Sequence, residues 1–334
     1  MIRDARALRD EFVPSELHHR EGAIQHLSFC LSSIQHDRPG EDVLITGPSG
    51  AGKTTTSKYV LEELESETFG VRTGYANCLA NTTTTGVLHA LLRDAGLGLD
   101  LQHDATSTDQ YLDRVRQLDD QVVIILDEVD VLADHSLLVS FFEIPNVTTV
   151  MICVDEDSLL TDLDMRVSKR VRSAASLHLE KYRHHELVDI LKGRINAGLA
   201  AGMNGPTIDR IADLAAGDAR FAITLLRRAA QRAEYEGVSL SPELVEDAVD
   251  DAEAEVHQRK VELLSTHQRL LYEIIKEYEE IGASELHAEY EERAQNPKSS
   301  STRYRYLRSL EYYELIEKAG ATRGSEYQVC KENC

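Results

Sequence analysis

Residues 43–59 read VLITGPSGAGKTTTSKY. The first three are an apolar strand pattern and the last five are predicted to continue a helix, so a loop joins a strand to a helix. The loop fits the pattern GxxxxGK[ST] in full, with Gly47, Pro48, Ser49, Gly50, Ala51, Gly52, Lys53 and Thr54. A glycine-rich turn that binds nothing is the alternative, but the flanking strand and helix favour a phosphate-binding loop.

This loop also predicts the chemistry of its ligand. Its glycines let backbone N–H groups turn inward around phosphate oxygens, at the positive end of the following helix. Lys53 is expected to reach the β and γ phosphates, and the hydroxyl of Thr54 is expected to bind Mg²⁺. Thr55, the next residue, is also predicted to contact the nucleotide.

A second motif lies further along the chain. Residues 122–126, VVIIL, read as a buried central strand and are followed by Asp127 and Glu128. Carboxylates at the carboxyl end of a parallel strand lie where ligands bind in such folds. Asp127 is expected to orient Mg²⁺ through its water shell, and Glu128 to polarise an attacking water. Two acids that merely cap a strand are the alternative; together with the loop, the pair predicts ATP or ADP with Mg²⁺.

Short apolar runs alternate with amphipathic stretches over the first half of the chain. The runs cover residues 43–46, 71–76, 122–126, 148–154 and 177–179. This alternation predicts an α/β domain with a parallel five-stranded sheet. The predicted domains are a nucleotide-binding domain at 1–180, a helical domain at 181–252 and a unit at 253–334. In the last unit, helices precede a hairpin over 318–329, which suggests a winged helix.

Acidic residues dominate the composition. Asp and Glu number 58 against 36 Lys and Arg, a formal net charge of −22. Taken alone, this charge argues against nucleic-acid binding, because DNA repels an acidic body. However, arginine outnumbers lysine 26 to 10 and the acids are spread over the whole chain. This pattern favours a halophilic source over an ordinary acidic enzyme, since molar salt screens the repulsion.

The sequence also bears on membranes and secretion. No apolar run is long enough to span a bilayer, and the first residues, MIRDAR, contain no apolar signal segment. We therefore expect a cytoplasmic protein with no membrane partner.

The Asp-Glu form of the second motif resembles the AAA+ ATPases. The resemblance implies a helical lid domain that closes over the nucleotide and presents an arginine to the γ-phosphate. The residues GDAR at 217–220 resemble this element, with Arg220 at the start of a helix. Arginine suits the role because its planar fork pairs with phosphate oxygens bidentately. A merely solvated arginine is the alternative.

The resemblance narrows to the archaeal initiator family related to the origin recognition complex and cell division control proteins. GDAR followed by a stretch of the form AIxLLRxA resembles its lid, and LDMRVS at 163–168 resembles its Leu-Asp-x-Arg-Val-x-Ser segment. ANC at 76–78, followed by a helix around 87–92, resembles the region of its initiator-specific insertion. LLSTHQR at 263–269 resembles the opening of its winged-helix domain. The matches extend over nearly the whole chain.

The family likeness adds nucleotide contacts. Val13 and Pro14, followed by Arg20, resemble the N-terminal segment that lies beside the adenine in this family. Tyr182 is also predicted to contact the nucleotide. Arg166, in the LDMRVS segment, is either an arginine that contacts the nucleotide of a neighbouring subunit or one half of a structural salt bridge.

One position departs from the family pattern. The fourth strand of the family usually ends in an asparagine that senses the γ-phosphate, and the corresponding position here is Asp155. A carboxylate facing the γ-phosphate would repel it unless protonated or bridged through water or metal. We therefore expect binding to survive while hydrolysis slows.

The segment 298–308, KSSSTRYRYLR, carries four cations and no acid in a chain of net −22. It falls where the recognition helix of a winged helix is expected. The DNA contacts that it predicts, to phosphates or base edges, are Lys298, Ser300, Ser301, Thr302, Arg303, Arg305 and Arg308, with Arg323 in the wing. A solvated basic patch with Tyr304 or Tyr306 in the core is the alternative.

The resemblance to this initiator family, taken with the motifs above, implies an ATP-dependent DNA replication initiator. It is expected to bind double-stranded origin DNA, to associate with itself on DNA, and to help load a replicative helicase of the MCM type. ATP and ADP would act as a switch, with slow hydrolysis. Two alternatives stay open: an AAA+ ATPase that remodels a protein partner, and a DNA-binding regulator that binds nucleotide without turnover.

Overall fold

A computed structural model describes residues 1–81, 83–98, 100–102, 106–132, 134–200, 202–320 and 325–330. The chain divides into two compact units, Met1–Ala252 and Glu253–Cys334. Within the described ranges, no helix combines the length and apolar character that crossing a bilayer requires.

The first unit contains the predicted parallel sheet. Its strands are β1 (Val43–Thr46), β2 (Val71–Asn77), β3 (Gln121–Asp127), β4 (Val147–Ile152) and β5 (Ala175–His178). They pair in the order β2-β3-β4-β1-β5, and every pairing is parallel. The central strands β3 and β4 are buried at every residue, which explains why both read as continuous apolar runs. The predicted α/β fold with five parallel strands is confirmed.

Seven helices of at least seven residues accompany this sheet among the described residues. They are α1 (Glu21–Leu31), α2 (Lys53–Glu67), α3 (Thr84–Asp94), α4 (Thr108–Arg116), α5 (Ser136–Phe142), α6 (Glu156–Asp162) and α7 (Met165–Val171). The helices α1 and α2 pack against the sheet and share one hydrophobic core with its strands. This core includes Leu27 of α1, Val60 of α2, Ile45 of β1 and Ile152 of β4. The sheet thereby holds the loop before α2 at the carboxyl ends of its strands.

The remainder of the first unit is helical. It consists of α8 (His184–Gly198), α9 (Gly205–Ala215), α10 (Ala219–Glu236) and α11 (Pro242–Glu246), and α12 (Val249–Leu263) runs across the division between the units. The N-termini of α9, α10 and α11 are capped by the side chains of Asn204, Asp218 and Ser241, each of which accepts from a backbone N–H two or three residues into the helix. Buried leucine, isoleucine and alanine side chains join these helices in one core.

The N-terminal segment, residues 1–12, packs on the helical part of the unit. Leu8 is fully buried in the core of that part. The guanidinium of Arg194, on α8, is also buried and donates to the carbonyls of Ala7 (3.0 Å), Arg9 (3.3 Å) and Phe12 (2.9 Å). These contacts tie the segment to α8. The predicted boundary at 180/181, which groups residues 1–12 with the sheet domain, stays a prediction.

Besides the end of α12, the described residues of the second unit form three helices and a small antiparallel sheet. In chain order they are α13 (Thr266–Tyr278), β6 (Glu280–Gly282), α14 (Ala283–Arg293), α15 (Ser300–Tyr312), β7 (Ile316–Ala319) and β8 (Glu326–Val329). The strands pair in the order β6-β8-β7. The hairpin predicted from the sequence forms between β7 and β8, and its turn at 321–324 lies outside the described residues.

Candidate functional site

The phosphate-binding loop joins β1 to α2 with a backbone that only glycine adopts easily. Gly47 has φ +138° and Gly50 has φ +72°. A Cβ atom at Gly47 would lie 2.0 Å from the carbonyl oxygen of Leu179, and one at Gly50 would lie 2.0 Å from Oδ1 of Asp218. The loop is therefore packed tightly against the chain that follows β5 and against the start of α10.

The lysine of the loop points back into it. Nζ of Lys53 donates to the carbonyls of Gly47 (2.5 Å) and Pro48 (2.9 Å). Burial lowers the pKa of Lys53, and the negative charge of Asp127 acts in the opposite direction. The ammonium group is thus held inside the curve of the loop, where phosphate oxygens are expected.

Thr54 and Asp127 form the predicted oxygen pair for Mg²⁺. Oγ1 of Thr54 donates to Oδ2 of Asp127 at 2.7 Å. Hydroxyl and carboxylate oxygens are hard ligands that suit Mg²⁺, which takes its remaining ligands from water and phosphate. No group of three or more His, Cys, Asp or Glu side chains in the described part of the chain is placed to hold a metal ion alone. The oxygen donors of Thr54 and Asp127 are of the kind that Mg²⁺ takes, and its binding here stays a prediction.

Glu128 follows Asp127 in an unusual backbone conformation, with φ +56°. Burial raises the pKa of Glu128 to about 7, and the adjacent charge of Asp127 adds to the rise. Nδ2 of Asn77 donates to Oε2 of Glu128 at 3.4 Å. The left-handed turn directs this carboxyl group away from the strand and beside the end of β2.

Arg20 and Tyr182 stack on each other against the loop. The guanidinium of Arg20 lies 3.7 Å from the centre of the Tyr182 ring. It donates to the carbonyl of Ala51 through Nε (3.1 Å) and Nη2 (2.9 Å), and to that of Glu180 (2.8 Å). Two residues predicted as nucleotide contacts are therefore brought to the loop. Thr55 on α2 is partly buried, as are Val13 and Pro14 on the chain leading to Arg20.

The helical part reaches the loop through the GDAR turn. The backbone N–H of Ala219 donates to the carbonyl of Gly50 at 3.2 Å. Arg220 follows, with Nε 4.0 Å from Oδ2 of Asp10. The positive charge of Arg220 lies close enough to act on the pKa values of Lys53 and Glu128, although burial is the larger influence on both. The GDAR turn thus brings Arg220 near the loop, and its role at the γ-phosphate stays a prediction.

Asp155 and Arg166 have local partners. Oδ1 of Asp155 accepts from the backbone N–H of Ser158 at 2.8 Å and caps α6. The guanidinium of Arg166 forms an ion pair with Glu143, and both side chains are exposed. The roles predicted for Asp155 at the γ-phosphate and for Arg166 at a neighbouring subunit stay predictions.

The predicted DNA-binding segment forms the start of α15 and the chain before it. Lys298, Ser300, Ser301 and Arg308 are exposed, and Thr302 and Arg305 are partly so. The side chain of Ser299 caps the helix by accepting from the N–H of Thr302. Tyr306 lies in the core, whereas Tyr304 is 48% exposed. Arg323 lies outside the described residues.

Arg303 differs from the expectation. Only 6% of it is exposed, and its Nη1 donates to Oε1 of Glu291 (2.7 Å) and to the carbonyl of His287 (3.3 Å). Position 303 lies on the inner face of α15 with Tyr306 and Leu310, because three and four residues make about one helical turn. In this conformation Arg303 ties α15 to α14 and does not present its charge to a ligand.

Comparison with known proteins decides the family. Residues 41–157 match the family described as an AAA domain, and residues 188–254 match a Cdc6 AAA+ ATPase-type lid domain. ORC1-type DNA replication protein 9 of Halobacterium salinarum is 37% identical over 332 residues, which cover 98% of this chain and 94% of that protein. The chain belongs to the family of ORC1-type DNA replication proteins.

Further relatives of this ORC1-type protein agree. ORC1-type DNA replication protein 1 of the same halophile is 36% identical over 90% of this chain and 98% of its own length. Among solved structures, that of the Aeropyrum pernix ORC1 protein in complex with DNA is similar in fold, with a TM-score of 0.76, 23% identity, and coverage of 98% of this chain and 94% of the other. The Aeropyrum pernix ORC2 protein, solved as ADPNP-ADP complexes, gives a TM-score of 0.67 at 22% identity, with 99% and 95% covered. The resemblance inferred from the motifs is confirmed, and the halophilic composition fits halophilic relatives.

Two polar residues of the site of this ORC1-type protein were not predicted from its sequence. Asn77 bonds to Glu128, as described above, and the hydroxyl of Tyr75 donates to Oδ2 of Asp127 at 3.0 Å. Burial raises the pKa of Tyr75, and the charge of Asp127 adds to this, so the hydroxyl keeps its proton. The register between β2 and β3 could have revealed them, because parallel pairing places Asn77 directly beside Asp127.

Proposed function

We propose that this ORC1-type protein binds double-stranded DNA at a replication origin in its ATP-bound form. The observation that carries the proposal is the contact between the GDAR turn and the phosphate-binding loop. Ala219 bonds to Gly50, and Asp218 packs on Gly50 so closely that no Cβ fits. A nucleotide in the loop would therefore touch both the sheet and the helices, and loss of its γ-phosphate would alter how the two are held.

The proposed nucleotide chemistry uses residues already in place. Lys53 and Arg220 would bind phosphate oxygens, and Thr54 and Asp127 would hold Mg²⁺, which neutralises phosphate charge when bound. Glu128 would accept a proton from the attacking water. We expect hydrolysis to be slow, because Asp155 stands where the family usually has an asparagine.

The proposed DNA contacts lie on the exposed side of α15 within a winged helix. The order helix, strand, helix, helix, strand, strand in the second unit supports this assignment. The Aeropyrum pernix ORC1 protein, which is similar in fold, was solved in complex with DNA, and this supports DNA as the ligand. Lys298, Arg305 and Arg308 would contact phosphates or base edges, with help from Ser300, Ser301 and Thr302; Arg323 stays a predicted wing contact. The helix α3, in the region of the initiator-specific insertion, would add a further contact.

Helicase loading and self-association complete the proposal. We propose two partners on the basis of family membership. They are a helicase of the MCM type and further copies of this chain on the same DNA. Arg166, exposed on α7, is the residue that we propose at a contact between copies.

DNA binding in molar KCl tests this proposal. We expect ATP-bound protein to protect origin fragments from nuclease and ADP-bound protein to protect them less. Arg308→Ala should weaken binding and reduce the slope of log affinity against log salt by about 1, since one phosphate contact is lost. Lys276→Ala removes an exposed cation from α13 instead, and serves as a control matched in charge. Absence of protection at every salt concentration tested would exclude the initiator function.

A further inference from the structure

We propose that Tyr75 is a positioning residue for the Mg²⁺ site, a role that rests on the proposed nucleotide function. Its hydroxyl and that of Thr54 donate to the same oxygen, Oδ2 of Asp127, at 3.0 and 2.7 Å. Asp127 is only 5% exposed. The hydrogen-bond donors around a carboxylate as buried as this one set its orientation, because water cannot take the place of a donor that is removed.

The two donors differ in what they do when the ion binds. The oxygen of Thr54 is itself an expected ligand of Mg²⁺, so its position follows the ion. Tyr75 has no such second task. Its hydroxyl would keep Oδ2 of Asp127 oriented, so that this carboxylate would be ready to help hold Mg²⁺ when the ion binds.

Contacts of the backbone and of the ring hold Tyr75 in place. Its backbone N–H, in the edge strand β2, donates to Oδ2 of Asp94 at 2.9 Å. Nζ of Lys58, on α2, lies 3.7 Å from the ring centre. A cation over the face of a phenol withdraws electron density from it and so makes its hydroxyl a stronger donor. Lys58 is thereby linked to the metal site through the ring, without touching an expected metal ligand.

Residues that orient metal ligands change metal affinity when they are removed. A loss of about tenfold is expected for one such hydrogen bond. The affinity for nucleotide in the absence of metal depends on the loop and on Arg220 instead, so it should not change. This separation distinguishes a positioning role from a packing role, which would alter both affinities together.

The test measures the affinity of the full chain for a fluorescent ADP analogue in molar KCl, with excess Mg²⁺ and with EDTA. For Tyr75→Phe we expect the ratio of the two affinities to fall by about tenfold, with the affinity in EDTA unchanged. Lys58→Met, which retains an apolar stem, should lower the ratio in the same direction by less. Tyr59→Phe, which removes a hydroxyl from α2 near Glu63, should leave the ratio at the wild-type value.

An unchanged ratio in Tyr75→Phe overturns the inference and leaves the proposed function intact. If Tyr75→Phe does not fold, Lys58→Met decides alone, and an unchanged ratio there overturns the inference. Failure of the wild type to bind the analogue in either condition overturns the proposed function, and the inference with it.

Discussion

At the residue scale, the residues proposed to bind phosphate are different from the residue proposed to act as the catalytic base. Lys53 and Thr54 end the loop and the GDAR turn that carries Arg220 contacts it; we propose the two cations as phosphate contacts and Thr54 as a ligand for Mg²⁺. Glu128 is a partly buried carboxyl group that follows β3 in a left-handed backbone conformation and is bonded to Asn77. Of these four side chains, only the carboxylate of Glu128 is suited to accept a proton, and we propose that it takes one from the attacking water.

Glu128→Gln should therefore abolish hydrolysis and spare binding. Glutamine keeps the size and the bond with Asn77 but cannot accept a proton. We expect the ATPase rate to fall at least about 100-fold, with ATP affinity unchanged. The control Glu62→Gln changes an exposed acid on α2. Equal, near-zero rates in the wild type and in Glu128→Gln would instead indicate a nucleotide switch without catalysis.

The sequence predicts those residues whose roles follow from local spacing. The loop from Gly47 to Thr54 and the pair Asp127-Glu128 can be located because each is continuous in the chain. Tyr75 and Arg303 could not be placed in this way. Tyr75 meets Asp127 through strand pairing, and Arg303 is turned inward by a partner on another helix, Glu291. Both depend on tertiary contacts that no local pattern encodes.

At the element scale, the N-terminal segment is the least expected feature. Residues 1–12 contain no clear periodicity, yet Leu8 is fully buried among α8, α9 and α10. Arg194 adds bonds to three carbonyls of the same segment. Asp10, in this segment, lies near Arg220. The segment thus joins the core of the helices to the residue expected at the γ-phosphate.

Leu8→Ala should destabilise the helical part. Removing a fully buried leucine costs about 3 kcal/mol through lost burial and a residual cavity. We expect a lower midpoint of denaturant unfolding and weaker ATP binding. Phe29→Ala, at a side chain that is 75% exposed, should change stability by less than about 0.5 kcal/mol. Equal effects of the two substitutions would contradict the packing described for residues 1–12.

The second unit should lose stability on acidification. Burial lowers the pKa of His267 below 6.5, and the charge of Lys298 adds to this. The hydroxyl of Tyr290 forms a hydrogen bond with Nδ1 of His267 at 2.7 Å. Below pH 6.5 the unfolded chain binds the proton more readily than the folded one, so the free energy of unfolding falls as pH falls.

Thermal unfolding of the full chain between pH 7.5 and pH 5.5 measures this effect. His267→Gln keeps an acceptor for Tyr290 but cannot titrate, so its stability should depend less steeply on pH. A variant with the same pH dependence as the wild type would exclude His267 as a contributor.

At the scale of the whole molecule, the net charge of −22 indicates adaptation to a solvent of high salt and does not identify the ligand. Acids spread over the chain repel one another in dilute buffer, and salt at about 1 M shortens the range of that repulsion to roughly 3 Å. The exposed cations of α15 then act over contact distances. The same composition that first argued against DNA is compatible with DNA binding in strong salt.

Stability should accordingly rise with KCl. We expect the unfolding midpoint to increase steadily from 0.1 M to molar KCl, because screening relieves repulsion in the folded state. Replacing eight scattered exposed acids with their amides should flatten this dependence. A midpoint that is highest in dilute buffer would contradict the halophilic interpretation.

The central claim is that this chain binds replication origins when ATP is bound, and genome-wide mapping of its DNA sites in its own cells tests that claim most directly. The account predicts enrichment at replication origins, reduced when Lys53 is replaced by alanine because ATP binding is then lost. Sites that bear no relation to origins, or sites that are the same with and without Lys53, would contradict it.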